Sequence, residues 1–332
     1  MKKFVAIILS LIMILSMTAC GGNSDAQNWP KKGSSIEIIV PFAAGGAMDL
    51  SARLTAKYLK KYLNVEVTVN NVEGGANWTG YEQIEKAEGD GYTLGFANYP
   101  GQVGGYLDPS KKRTETFRSF TNIANIVHDP GIIVVKEDSP YKTLQDLLDA
   151  AKAGTVLNVA TGGGNGSDDD TLVRLINRAM GNENLNSLKN ENDKNAKAAL
   201  LGGEADLQAC NVSNYCKTYK STGQTDSVRV LAIFDQKKQD LMPDIPTIDE
   251  LNIPELKGLY SSSDRGLIAT KNLDPAIVPI IVDALKKTQT DADFIKDATE
   301  QGMAINMLFG ADFEKFIEGV ETTIKDLKIY GN

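Results

Sequence analysis

The chain has 332 residues, 35 Lys and Arg against 43 Asp and Glu, and a formal net charge of −8. That length allows two packed cores, and 42% hydrophobic residues is ordinary for a globular protein. Such acidity argues against non-specific binding to nucleic acid.

Lys2 and Lys3 precede an apolar run, Phe4 to Leu15, too short to span a bilayer comfortably, and small residues follow. This predicts an export signal over residues 1–19. Its end, M-T-A-C (Met17 to Cys20), resembles the bacterial lipobox, in which the cysteine is lipidated and becomes the mature N-terminus. Gly21-Gly22-Asn23-Ser24-Asp25 then provides a flexible tether within residues 20–29. The expectation is an extracytoplasmic protein, lipid-anchored to the bacterial cell membrane, whose charge moves from −8 to −10 once Lys2 and Lys3 are removed. Cys210 and Cys216 remain; outside the cytoplasm a disulfide and two reduced thiols on a helix both stay open. No later segment is long and apolar enough to cross a bilayer.

Strand and helix patterns alternate from there to the C-terminus, which predicts an α/β protein with largely parallel sheets. A strand at Ile36 to Val40, the turn P-F-A-A-G-G and a helix from Ala47 to Leu63 open the series, followed by a strand at Val65 to Val69. The loop N-N-V-E-G-G-A-N-W-T-G leads to a short helix ending near Glu88 and a strand at Tyr92 to Ala97. Ile123 to Val127 and Ile132 to Val135 read as strands separated by a turn, H-D-P-G, that marks the first passage between domains. The next unit copies the first, with a helix at Thr143 to Lys152, a strand at Val156 to Ala160, the glycine turn Gly162 to Gly166, and a helix carrying Leu172, Leu175, Ile176 and Ala179. A helix at Asn192 to Leu201, a strand at Ala205 to Ala209, and a strand at Val228 to Phe234 that returns the chain to the first domain complete the second. Asp274-Pro275 predicts a helix start, and helices fill most of the rest, with a break near Gly302 to Gly310.

The inventory for catalysis is poor. A hydrolase with a histidine base would have to use His128, the one histidine, and no G-x-S-x-G elbow supplies a nucleophile. Zinc has no usual ligand set in one histidine and two cysteines. The glycine turns lack the P-loop lysine and the G-x-G-x-x-G order. Binding without a cofactor or resident metal is what remains.

Several stretches, I-E-I-I-V-P-F-A-A-G-G-A-M-D-L-S-A-R-L, G-G-A-N-W-T-G, D-G-Y-T-L, S-P-Y-K-T-L-Q-D-L-L-D-A-A-K, V-R-V-L-A-I-F, L-M-P-D-I-P-T-I-D-E-L and R-G-L-I-A-T, resemble in order and spacing the substrate-binding receptors of tripartite tricarboxylate transporters, or Bug receptors. The resemblance implies a two-domain, periplasmic-binding-protein-like flytrap fold (type II) with a hinge of two crossing strands. Its expected domains are residues 30–126 with 234–332, and 127–233. It further implies a monomeric receptor that captures a small carboxylate and presents it to large and small permease subunits without ATP; a receptor for an ATP-driven importer and a lipoprotein hydrolase are the rivals. The ligand carboxylate is expected between Phe42, Ala43, Ala44, Gly45 and Gly46 on one side and Thr161, Gly162, Gly163, Gly164, Asn165, Gly166 and Ser167 on the other. Glycine permits close backbone approach, and helix N-termini favour an anion. Asp49 is expected to serve its own helix turn.

Three stretches depart from the family pattern. Ser167 is followed by Asp168, Asp169 and Asp170 where small hydroxyl residues or histidine are usual. A carboxylate about 6 Å from an anionic ligand, at an effective dielectric near 20, costs about 2.8 kcal/mol, about a hundredfold in affinity. Asp168 and Asp169 are therefore candidate ligand residues for an amine-bearing solute or a metal-carboxylate complex, or else all three aspartates cap the helix. Trp78 and Asp264 are the other unusual candidates, and Asn98 and Tyr99 lie at a strand end where such sheets place ligands.

Overall fold

The computed structural model describes residues 28–222, 227–328 and 330; the export signal, Cys20 and most of the tether lie outside the described residues. β1 (Ser35–Val40) buries Ile36, Ile38 and Val40 and pairs in parallel with β2 (Glu66–Asn71) and β3 (Thr93–Tyr99). Between β1 and β2, α1 (Ala47–Leu63) turns Met48, Ala52, Ala56 and Leu59 into the core, one helical face at intervals of three and four. Asn64, with φ 55, ends the helix in the left-handed region and donates its N–H to the Lys60 carbonyl. α2 (Trp78–Glu85) and α3 (Gly101–Leu107) belong to a separate apolar cluster with Tyr99, Phe120 and Phe313.

β4 (Phe120–Lys136) runs unbroken for 17 residues through H-D-P-G, where a turn is predicted. Each of those residues has a strand partner. His128 lies opposite Asp264, Asp129 opposite Ser263 and Pro130 opposite Ser262 on β9 (Ser262–Thr270), whereas Gly131 starts the pairing with β7 (Leu207–Asn211). Pro130 has no N–H to donate, and it falls where β4 exchanges one neighbour for another, the place in a ladder where a missing donor costs least.

The second half repeats the strand-turn-helix plan. α4 (Leu144–Lys152) starts at a capping box between Thr143 and Asp146, and β5 (Leu157–Thr161) pairs in parallel with β6 (Leu185–Lys189) and β7. α5 (Asp168–Met180) and α6 (Asp193–Gly202) connect them; α7 (Cys216–Thr222) leads towards β8 (Val228–Ile233). The chain does not return to the first half at β8, which pairs antiparallel with β4. Phe234, Ile248, Ile253 and Leu256 remain in the second core, and the return is made by β9, which pairs with β3 and β4.

At Asp274-Pro275 the aspartate caps only a turn, accepting from the Ala276 N–H, and α8 (Val278–Gln289) begins three residues after the proline. α9 (Ala292–Gln301) follows. The predicted break holds a strand, β10 (Ile305–Phe309), antiparallel to β4, before α10 (Ala311–Asp326). The ten strands of the described residues form one mixed sheet in the order β2-β1-β3-β9-β4-β7-β5-β6, with β8 and β10 also on β4. Parallel pairing is confined to the strand-helix-strand units; every pair that β4 makes is antiparallel.

Candidate functional site

The turns after β1 and β5 each direct backbone donors to carboxylates of the helix that follows. In the first, the Gly45 N–H donates to Asp49 Oδ2 at 2.8 Å, and Arg53 grips the same carboxylate with Nε and Nη2, each at 2.9 Å. Burial opposes the charge on Asp49, but Arg53 and the Gly45 N–H outweigh it and hold the carboxyl below its usual range. In the second, Gly163, Gly164 and Gly166 take φ of +73, +80 and +77, and Ser167 caps α5 by accepting from the Asp170 N–H. The Gly166 N–H donates to Asp170 Oδ2 at 3.0 Å, where Arg174 Nε also donates at 3.0 Å. Asp169 Oδ2 accepts from the Gly162 N–H at 2.8 Å.

The three aspartates therefore divide. Asp169 and Asp170 are buried and turned back on the glycine turn, whereas Asp168 lines a cavity of about 460 Å³ between the two halves. Burial and the nearby Asp193 raise its carboxyl to about 6. Asp168 Oδ2 is inaccessible to solvent and has no hydrogen-bond partner. Phe42, Trp78 and Asn98 face the cavity from the first half, and Gly163, Asn165, Gly166 and Ser167 from the second. The halves touch directly at one rim. A Cβ on Gly104 would lie 2.7 Å from the Tyr330 hydroxyl and 3.4 Å from the Gly166 carbonyl, so the approach of α3 to the second turn depends on the absence of a side chain.

Other expected site residues lie elsewhere. Ala43, Ala44, Gly45 and Gly46 are exposed and do not line the cavity, nor does Gly164. Thr161 is buried with its hydroxyl 3.1 Å from that of Ser187, and Gly162 is packed against Asp193. Tyr99 points to the opposite sheet face from Asn98, as strand alternation requires, and donates to Asn122 Oδ1. Asp264 sits at the crossing of the halves, where it accepts from Asn125 Nδ2 at 2.7 Å, from Ser262 Oγ and from His128 Nδ1 at 2.9 Å. Trp78 is wall and core together: it is buried, packs on Tyr81 with centroids 5.4 Å apart, and carries Arg113 over its ring at 5.0 Å.

His128 lies between Asp264 and Asp235, with Nε2 3.3 Å from Asp235 Oδ2. Burial would lower its pKa; the two carboxylates overcome this and raise it to about 10. A histidine protonated at neutral pH is not available as a general base, and this one does not line the cavity. Cys210 and Cys216 are not bridged. Cys210 belongs to β7 rather than to a helix, and the Cys216 thiol points at the Gly302 carbonyl, 3.7 Å away. Among the described residues no group of three or more His, Cys, Asp or Glu is placed to hold a metal ion.

The cavity also has walls that the sequence reading missed. Gln102, in the first turn of α3, is 2% exposed, and neither its amide nitrogen nor its amide oxygen has a partner. Asn77, Tyr81, Asp108, Lys111, Glu191 and Tyr330 complete the polar lining. Gln102 lies three residues beyond the end of β3, so the strand-end rule that selected Asn98 reaches it if carried into the following helix.

Two α/β halves joined through a long strand, with strand ends and glycine turns facing a cleft between them, are the architecture of periplasmic solute-binding proteins. Residues 51–328 match the model of the tripartite tricarboxylate transporter family receptor, and the chain belongs to that family. It is 27% identical to Protein BugT of Bordetella pertussis over 282 residues, 82% of each chain. A TctC solute-binding protein from Polaromonas, solved without ligand, superposes with a TM-score of 0.76 at 26% identity, covering 90% of this chain and 98% of that one. MatC from Rhodopseudomonas palustris, solved with bound malate, shares the fold with a TM-score of 0.68 at 20% identity, over 92% of this chain and all of that one. The family consists of solute receptors and is not an enzyme class. Among the described residues no helix is long and apolar enough to cross a membrane.

Proposed function

We propose that the protein is an extracytoplasmic receptor that captures a small carboxylate-bearing solute in the cavity between the two turns and delivers it to a tripartite membrane permease without ATP. The observation that carries this reading is the cavity itself. It is bounded by both halves, sized for a small molecule, and set at the C-terminal ends of β1, β3 and β5. Family membership and the malate held by MatC support a carboxylate. Closure by rotation of the halves about β4 and β9 follows from the way those strands join them. The M-T-A-C sequence supports a lipid anchor at Cys20.

Release of a bound solute from purified protein, identified by mass spectrometry and returned in a calorimetric titration, tests the receptor reading. A protein that releases nothing and binds no carboxylate refutes it. Deletion of the permease genes should abolish uptake of the same solute, and uptake that depends instead on an ATPase would assign the receptor to an ATP-driven importer. Cys20→Ser should move the protein from the membrane fraction to the soluble one.

A further inference from the structure

We infer that the cavity selects a zwitterionic solute, one with a protonated amine as well as a carboxylate, in which Asp168 receives the amine and Gln102 orients the molecule. This rests on the receptor reading and narrows its substrate class. Three independent observations lead to it.

First, several of the donors that a carboxylate would seek at the turns are already engaged. The N–H groups of Gly45, Gly162 and Gly166 donate to Asp49, Asp169 and Asp170, and the Asp170 N–H donates to Ser167. Carboxylates of the protein itself thus already occupy part of each helix end that attracts anions. Second, Asp168 lines the cavity, and its buried Oδ2 has no hydrogen-bond partner. A ligand ammonium provides that partner in a charge-assisted hydrogen bond, whereas a second ligand carboxylate there meets like charge.

Third, Gln102 is 2% exposed in the cavity wall, with both ends of its amide unpaired. A buried amide without partners is costly, and its two donors and carbonyl acceptor match a molecule that offers both an acceptor and a donor. Nothing on the protein fixes which way that amide points, so the ligand does. Among the described lining residues Lys111 is the one basic side chain, against Asp108, Asp168 and Glu191. That balance suits one carboxylate near Lys111 and a positive group near Asp168.

Glutarate and 4-aminobutyrate, which differ by an amine in place of one carboxylate, provide the direct comparison by calorimetry on the full-length receptor, together with mass spectrometry of the co-purified solute. The expected result is a solute containing a basic nitrogen, and at least tenfold tighter binding of 4-aminobutyrate than of glutarate. Asp168→Asn should reduce that ratio tenfold or more and Asp168→Glu should restore part of it; Gln102→Leu should weaken the amine-bearing ligand at least fivefold. Melting curves of the free proteins identify any variant that fails to fold, and the wild-type ratio stands without them. A released solute with no basic nitrogen, or glutarate binding as tightly as 4-aminobutyrate, overturns the inference and leaves the receptor reading intact. Absence of any released or bound carboxylate, aminated or not, overturns both.

Discussion

Asp49 and Asp170 occupy equivalent places in the two halves of the molecule. Each accepts from the N–H of the glycine four residues before it and from the arginine four residues after it, giving Gly45–Asp49–Arg53 and Gly166–Asp170–Arg174. The arginines match further, because Nη2 of Arg53 donates to Asn71 Oδ1 and Nη2 of Arg174 to Asn165 Oδ1, both at 3.0 Å. One clamp, built twice, sets the shape of both jaws.

Removing the clamp acid should destabilise the fold. Asp170→Ala leaves the buried Gly166 N–H without an acceptor, a loss of about 1–3 kcal/mol in urea unfolding; Asp170→Asn, which keeps an acceptor oxygen, should lose less. Asp49→Ala should follow the same order. Because the folded state holds the Asp49 carboxyl below its ordinary value of 3.8, that residue's contribution is fully present above about pH 4 and disappears as pH falls through the lowered value.

Asp168 works in the opposite direction. Its carboxyl rises from 3.8 to about 6 on folding, so between those values the native state binds more protons than the unfolded one, and stability falls as pH increases. Asp168→Asn should therefore be more stable than wild type at pH 7 by about 2 kcal/mol or less, with the difference shrinking towards pH 4. Chemical denaturation of the ligand-free proteins at the two pH values measures this. An equal difference at both would separate the effect from ionisation.

His128 serves as a cation between two carboxylates at the crossing of the halves. His128→Ala leaves Asp264 buried beside Asp235 without their shared partner, and should cost about 3 kcal/mol or more in unfolding experiments. Since folding raises the His128 pKa from 6.5 to about 10, its stabilisation is complete below about pH 6.5 and is lost as pH rises through 10. Solute affinity measured on folded variant should change little, because His128 does not line the cavity.

The first strand-turn-helix unit was legible in its bounds, since the apolar run of β1, the glycine turn and the apolar periodicity after it are local signals, although Leu50, which reads as apolar-face, is exposed. H-D-P-G was not, because a proline-glycine pair reads as a turn unless a partner strand is known, and the partners of His128 to Pro130 arrive more than 130 residues later in β9. Val228 to Phe234 was found as a strand, but the return to the first half was placed there rather than at β9, as pairing partners are not encoded in a strand's own pattern. At the site, the sequence located the second turn and posed the choice for its aspartates. The division between Asp168 and its two neighbours needed the geometry of the N-cap, in which successive side chains leave α5 at different angles and reach different groups. Gln102 has no sequence signal beyond its place after β3; its significance comes from being buried with nothing to bond.

A continuous β4 also determines what kind of joint connects the halves. A linker of turn residues would bend at one point and present that point to proteases, whereas here the passage from Val127 to Ile132 stays within the sheet, paired with β9 as far as Pro130 and with β7 and β8 beyond it. Motion between the halves must then be spread as twist along paired strands, like torsion in a strip of spring steel. The amides at the joint should accordingly exchange with solvent as slowly as those of the cores.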